Sequence, residues 1–113
     1  MNVAVLTNAD RAVIETRKLT DYALNPDNPV GRHKARVFAA VLGFDRSNVH
    51  LLIDELRRGV LAHAAEPGLV DEYGARYRVD MRVTGPKGTA TLRTASIYRT
   101  GSDVPERVTL HVR

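Results

Sequence analysis

Arg76-Tyr77-Arg78-Val79-Asp80-Met81-Arg82-Val83 alternates apolar and charged residues without a break. A period of two marks a β-strand with one buried face. Tyr77, Val79, Met81 and Val83 take the core side, and Arg76, Arg78, Asp80 and Arg82 the other. Thr84-Gly85-Pro86-Lys87-Gly88 reads as a hairpin turn, and Thr89 to Arg99 as the returning strand. Alternation in that second strand is poor, because Leu92 and Ile97 have opposite parity. Either a bulge or a strand covered on both faces explains this. After a loop from Gly101 to Glu106, Val108, Leu110 and Val112 alternate with Thr109, His111 and Arg113 in a closing strand.

Upstream of this meander the period changes to 3.6. Val37, Phe38, Val41 and Leu42 form an apolar stripe in a helix from Arg32 to Leu42, with Gly43 at the C-cap. Ser47 caps a second helix, whose buried face is Val49, Leu52, Ile53, Leu56 and Val60 and which ends near His63. Two turn-rich stretches, Asn25 to Gly31 and Ala65-Glu66-Pro67-Gly68, are too short to be domain linkers. Before residue 25, Val3-Ala4-Val5-Leu6 and Ala12-Val13-Ile14 read as short strands. Arg17 to Leu24 reads as one or two helical turns, stopped by Asn25-Pro26. The sum is an α+β fold, two main N-terminal helices packed on one face of a three- to four-stranded antiparallel sheet. It forms one domain, 1–113, with an irregular segment 1–30, a helical pair 31–64 and an antiparallel meander 73–113.

A chain of 113 residues, 43% hydrophobic, suits one domain with a modest core. The absence of cysteine excludes a disulfide scaffold, a thiol nucleophile and a Cys-ligated metal. No apolar run approaches the ~20 residues of a membrane span. Met1 to Asp10 has no basic n-region before an apolar core, so no signal peptide is expected. The expected address is the cytoplasm, with no membrane partner. Residues 1–72 hold nine Lys/Arg against ten Asp/Glu, whereas 73–113 hold eight against three. Fourteen of the 17 basic residues are Arg, the side chain suited to forked contacts with phosphate. This excess in the last third reflects either a polyanionic partner or an Arg-rich genome.

Two places offer chemistry. On the second face of the sheet, Arg76, Arg78 and Arg82 align with Thr109, His111 and Arg113. Such a face either binds a nucleic-acid backbone or is simply solvated. The other place is the helix start Gly31-Arg32-His33-Lys34-Ala35-Arg36. Basic residues in a first turn oppose the helix macrodipole. Lys34 shares helical spacing with Val37, Phe38 and Val41, so it either snorkels along the sheet edge or projects into a cleft between helix and sheet. Arg32 and Arg36 lie opposite. Free N–H groups beside Gly31 would suit a phosphate. His33 is a surface residue or a proton carrier; His50 and His63 are structural. No metal cluster, G-x-S-x-G or P-loop is present, and no cofactor is expected. Asp54-Glu55 and Asp71-Glu72 read as solvated surface.

The series Arg17-Lys18-Leu19-Thr20-Asp21-Tyr22-Ala23-Leu24-Asn25-Pro26, Pro29-Val30-Gly31-Arg32-His33-Lys34-Ala35-Arg36-Val37-Phe38, Leu42-Gly43-Phe44, Tyr73-Gly74-Ala75-Arg76-Tyr77, Thr84-Gly85-Pro86-Lys87-Gly88 and Arg93-Thr94-Ala95 resembles a small bacterial domain family over residues 9 to 112. Domains of that family occur alone and as C-terminal tips of polymorphic toxins. Those tips resemble the barnase–EndoU–colicin–RelE group of metal-independent ribonucleases, with one or two helices before a four-stranded antiparallel sheet. The chain departs from relatives at Asp27-Asn28, where many carry His, and at Ala95-Ser96-Ile97, where an aromatic is common. The resemblance implies a toxin that cleaves RNA by attack of the 2′-hydroxyl. It casts His33 as general base or acid, Lys34 and Arg93 as clamps on the transition state, and Lys18 and Thr94 as phosphate positioners. Thr109 joins them, and His111 is the reserve proton carrier. A cognate antitoxin or immunity protein is the implied partner. The alternative is a binding module for nucleic acid or a protein that uses the same surface and cuts nothing. The edge of the last strand also offers pairing with a second copy, a homodimer.

Overall fold

The computed structural model describes residues 4–113. Four strands form an antiparallel meander in chain order: β1 (Ala65–Asp71), β2 (Gly74–Thr84), β3 (Thr89–Arg99) and β4 (Glu106–Val112). Among the described residues three main helical segments precede it, with short 3-10 turns at Ala9–Arg11 and Arg46–Asn48. The main three are α1 (Thr16–Lys18, continued by a π-helical turn, Leu19–Ala23), α2 (Arg32–Val37, continued likewise over Phe38–Leu42) and α3 (Val49–Ala62). The fold is α+β, with the helices before the sheet.

β2 alternates as its sequence requires. Val79, Met81 and Val83 are buried in one core with Leu52, Leu56, Phe38 and Leu42 from the helices and Phe44 from the loop after Gly43. β1 was not expected, because Ala65-Glu66-Pro67-Gly68 reads as a turn. It is an edge strand with an irregular register between Pro67 and Val70. An edge tolerates a residue that cannot donate to the ladder.

α2 buries a stripe one step from the expected one. Gly31, Ala35, Phe38 and Leu42 face inward, whereas Val41 is exposed. Gly43, at φ 78°, ends the helix as expected. Asp45, rather than Ser47, caps the next turn: its carboxylate accepts from the Ser47 N–H while the Asn48 side chain accepts from the Asp45 N–H.

Val13 forms a single parallel bridge to Glu106 on the outer edge of β4; Val3 lies outside the described residues. The Val13 N–H donates to the Pro105 carbonyl at 2.9 Å, and the Arg107 N–H to the Val13 carbonyl at 3.0 Å. The edge once expected to meet another copy is therefore covered at its start by the chain's own N-terminal segment. His63 is structural, as expected. Its Nε2 accepts from the Arg82 N–H, so Nδ1 carries the proton given to the Gly59 carbonyl. Glu55 is no solvated carboxylate, since it accepts from the Thr84 N–H at 2.6 Å.

Candidate functional site

The register of β3 against β4 decides which side chains can meet. Ala95 pairs with Thr109 but Ser96 pairs with Arg107, so Val108 is an extra residue. This bulge reverses the parity of β4. Arg107 thereby turns onto the helix side of the sheet, where only 6% of it is exposed. β3 itself keeps an unbroken register with β2, so Leu92 and Ile97 lie on opposite faces, and both are buried.

Arg107 sits between two spaces. On the core side it joins Ile14, Leu56, Thr94 and Ser96 around a small void. On the outer side it lines a cleft of about 100 Å³ with Lys18, Tyr22, Lys34 and Thr109. Three cationic side chains from α1, α2 and β4 therefore converge on one small volume. The nearest carboxylates are Glu106, 4.0 Å from the Lys18 ammonium, and Glu15, whose charge acts on Arg107. Arg107 Nε is buried with no hydrogen-bond partner among the described residues. A buried donor left without an acceptor costs about 1–3 kcal/mol, a cost that an acceptor entering beside Nε would remove.

Lys34 feels the same crowding. Burial, followed by the charge of Arg107, holds its pKa below the ordinary 10.5. Its ammonium also stands over the Tyr22 ring, 5.9 Å from the centroid. An anion in the cleft stabilises the charged amine and raises that pKa again. Affinity for sulfate, a dianion across this range, is therefore full below the free-state value and falls as pH rises through it. The fall comes at a pH below 10.5, with Lys18, Arg107, Tyr22, Glu15 and Glu106 as the other groups around the amine. Lys34→Arg, which keeps its charge, shifts the fall to higher pH. Calorimetric titration across pH checks this, and superimposable pH curves for the two proteins would contradict it.

The other expected residues are placed differently. Thr94 neighbours Arg93 on a strand, so the two point to opposite faces. Thr94 is buried, and its hydroxyl donates to the Val79 carbonyl at 2.9 Å. This corrects its expected role as a phosphate positioner. Arg93 lies on the outer face in a forked pair with Asp80, at 2.9 and 3.0 Å. The Arg93 hydrogen bond holds the Asp80 carboxyl below its usual range, and the charge of Arg113, 3.0 Å away, adds to this. Arg76 pairs with Asp71, and Arg78 with Glu66. The outer face therefore exists as expected, but its arginines are largely neutralised from within. Arg82, His111 and Thr109 are exposed on it, and His111 stands in register with Arg93.

His33, Arg32 and Arg36 are exposed on α2, and none lines the cleft. The N–H groups of Val30 and Gly31 are not free for a ligand, because the Asn28 carboxamide accepts both at 2.9 Å. The Asn28 side-chain NH2 in turn donates to the Asp21 carbonyl. Asn28 thus braces the loop that sets α2 against α1, at a place where relatives were expected to differ. Arg107 and Tyr22 were missed by sequence reasoning. Tyr22 carried a readable signal, since it lies one helical turn beyond Lys18.

Fold and cleft together define an α+β domain with a compact cationic site beside its edge strand. The chain belongs to the family described as a domain of unknown function, DUF6883, whose model matches residues 5–113. Comparison with curated proteins and with solved structures gives no match. Among the described residues no helix is long and apolar enough to cross a membrane, and no group of His, Asp and Glu is arranged to hold a metal ion.

Proposed function

We propose that this domain acts on RNA in the cytoplasm as a metal-independent ribonuclease of the toxin kind, with the scissile phosphate in the cleft of Lys18, Lys34 and Arg107. The observation that carries the reading is the partnerless, buried Arg107 Nε at a cleft with two lysines. Phosphate oxygens supply the acceptors and the charge that this arrangement lacks. In the reaction the 2′-oxygen attacks the adjacent phosphorus, and the bond to the 5′-oxygen breaks. A cyclic phosphate and a free 5′-hydroxyl result. Lys34, Arg107 and Lys18 stabilise the charge growing on the non-bridging oxygens. Solvent takes the proton from the 2′-hydroxyl and supplies one to the leaving oxygen. A toxin of this kind requires an antitoxin or immunity protein in the producing cell.

The second reading, a nucleic-acid-binding module without catalysis, is favoured by the absence of histidine from the cleft lining. Incubation with short RNA and assay for cyclic-phosphate ends separates the two. The ribonuclease reading expects Lys34→Ala to lose about 100-fold or more in cleavage, within the usual span for a lost donor to the developing charge. His33→Ala keeps near-wild-type activity. Binding without cleavage by the wild type selects the module instead.

A further inference from the structure

A wider groove of about 410 Å³ adjoins the cationic cleft and shares Lys18 and Tyr22 with it. Glu15, Arg17, Asp21 and Asn28 complete its wall. Tyr22 is 42% exposed. With Lys34 on the cleft side of its ring, the ring stands between the cationic cleft and a groove of mixed charge.

Resting on the reading that the cleft takes an RNA phosphate, we infer that this groove is a nucleobase subsite. A base bonded through its ribose to that phosphate stacks on Tyr22, and its edge meets Glu15, Arg17 and Asp21. Three observations support this. The groove is too large for a second phosphate and falls in the range of small-ligand sites. An exposed aromatic beside a phosphate site is a stacking surface open to any base. The groove's wall holds both acceptors (Glu15, Asp21) and donors (Arg17, Lys18), which suits the mixed edge of a base. Asp21 is held only by exposed contacts to Arg17 and Thr20, at 3.4 Å each. Asn28 reads nothing, because its carboxamide is committed to the backbone.

Carboxylates accept and do not donate, whereas guanidinium and ammonium groups donate. Guanine offers two adjacent donors on its Watson–Crick edge, and uracil offers one donor between two carbonyl acceptors. With both kinds of group in its wall, the groove takes either base.

The test is calorimetric titration of the full chain with inorganic phosphate, guanosine 3′-monophosphate and uridine 3′-monophosphate. Both nucleotides are expected to bind about tenfold more tightly than phosphate. Tyr22→Ala reduces their affinity to that of phosphate, whereas Tyr22→Phe retains it. If both nucleotides bind no better than phosphate, or if Tyr22→Ala leaves them unchanged, the subsite is overturned while the phosphate site stands. If phosphate and nucleotides all fail to bind, the cleft reading itself is overturned, and the subsite with it.

Discussion

Arg107→Met unfolds at a higher temperature than the wild-type protein and binds RNA about 30-fold more weakly. Both halves follow from one geometry. The guanidinium is buried and unpartnered at Nε, and burial pulls its pKa down. Methionine has a similar length, no charge to desolvate and enough flexibility to fill the space among Ile14, Leu56 and Val60. Replacing buried ionic groups with apolar ones of similar volume can stabilise by about 1–4 kcal/mol. The lower part of that span applies here, because Glu15 offsets some of the cost. The same change removes the only forked donor in the cleft. Loss of a buried charged contact costs about 2 kcal/mol or more of binding, roughly 30-fold in affinity. Thermal melts and filter binding of a short RNA measure the two effects on one sample. A destabilised variant that still binds RNA at wild-type affinity would mean that Arg107 serves the fold alone.

Gly31→Ala damages stability and the cleft together. A Cβ on Gly31 would lie 2.1 Å from the Tyr22 carbonyl oxygen and 2.8 Å from its carbonyl carbon. Both are backbone atoms, so no rotamer change relieves the clash. Gly31 has φ −85°, which alanine adopts freely, so the effect is purely steric. Relief requires α2 to move away from the turn that carries Tyr22. Overpacking of this kind costs about 1–3 kcal/mol, and it separates Lys34 from Tyr22 and Lys18. Gly68→Ala is the control, since its nearest atom would be 3.4 Å away in ordinary contact. The expected result is a clear fall in Tm and in phosphate affinity for Gly31→Ala and little change for Gly68→Ala. Equal melting temperatures for the two variants would rule out tight docking of α2 on that turn.

The residues of this site differ in how far the sequence exposes them. Lys34 was legible because it shares helical spacing with the buried Phe38, which places an ammonium where an apolar group belongs. Arg107 was not. Its side depends on one extra residue in β4, and strict alternation from Leu110 puts it on the solvent face. Bulges shift parity through long-range register, which no local pattern carries. Arg93 and Thr94 were grouped through resemblance, although adjacent strand residues cannot share a face. The outer arginines were placed correctly as a row. Their neutralisation was hidden because Glu66 and Asp71 lie on β1, a strand masked by Pro67-Gly68.

The central claim is that phosphate enters the cleft rather than spreading over the outer face of the sheet. Titrating the protein with a short 2′-O-methyl RNA, which cannot be cut, while following arginine Nε–H signals by NMR tests it directly. The Arg107 signal is expected to move first and furthest, at RNA concentrations that leave Arg78, Arg93 and Arg113 unaffected. Early movement of those three signals with Arg107 unmoved would place the RNA on the outer face and contradict the claim.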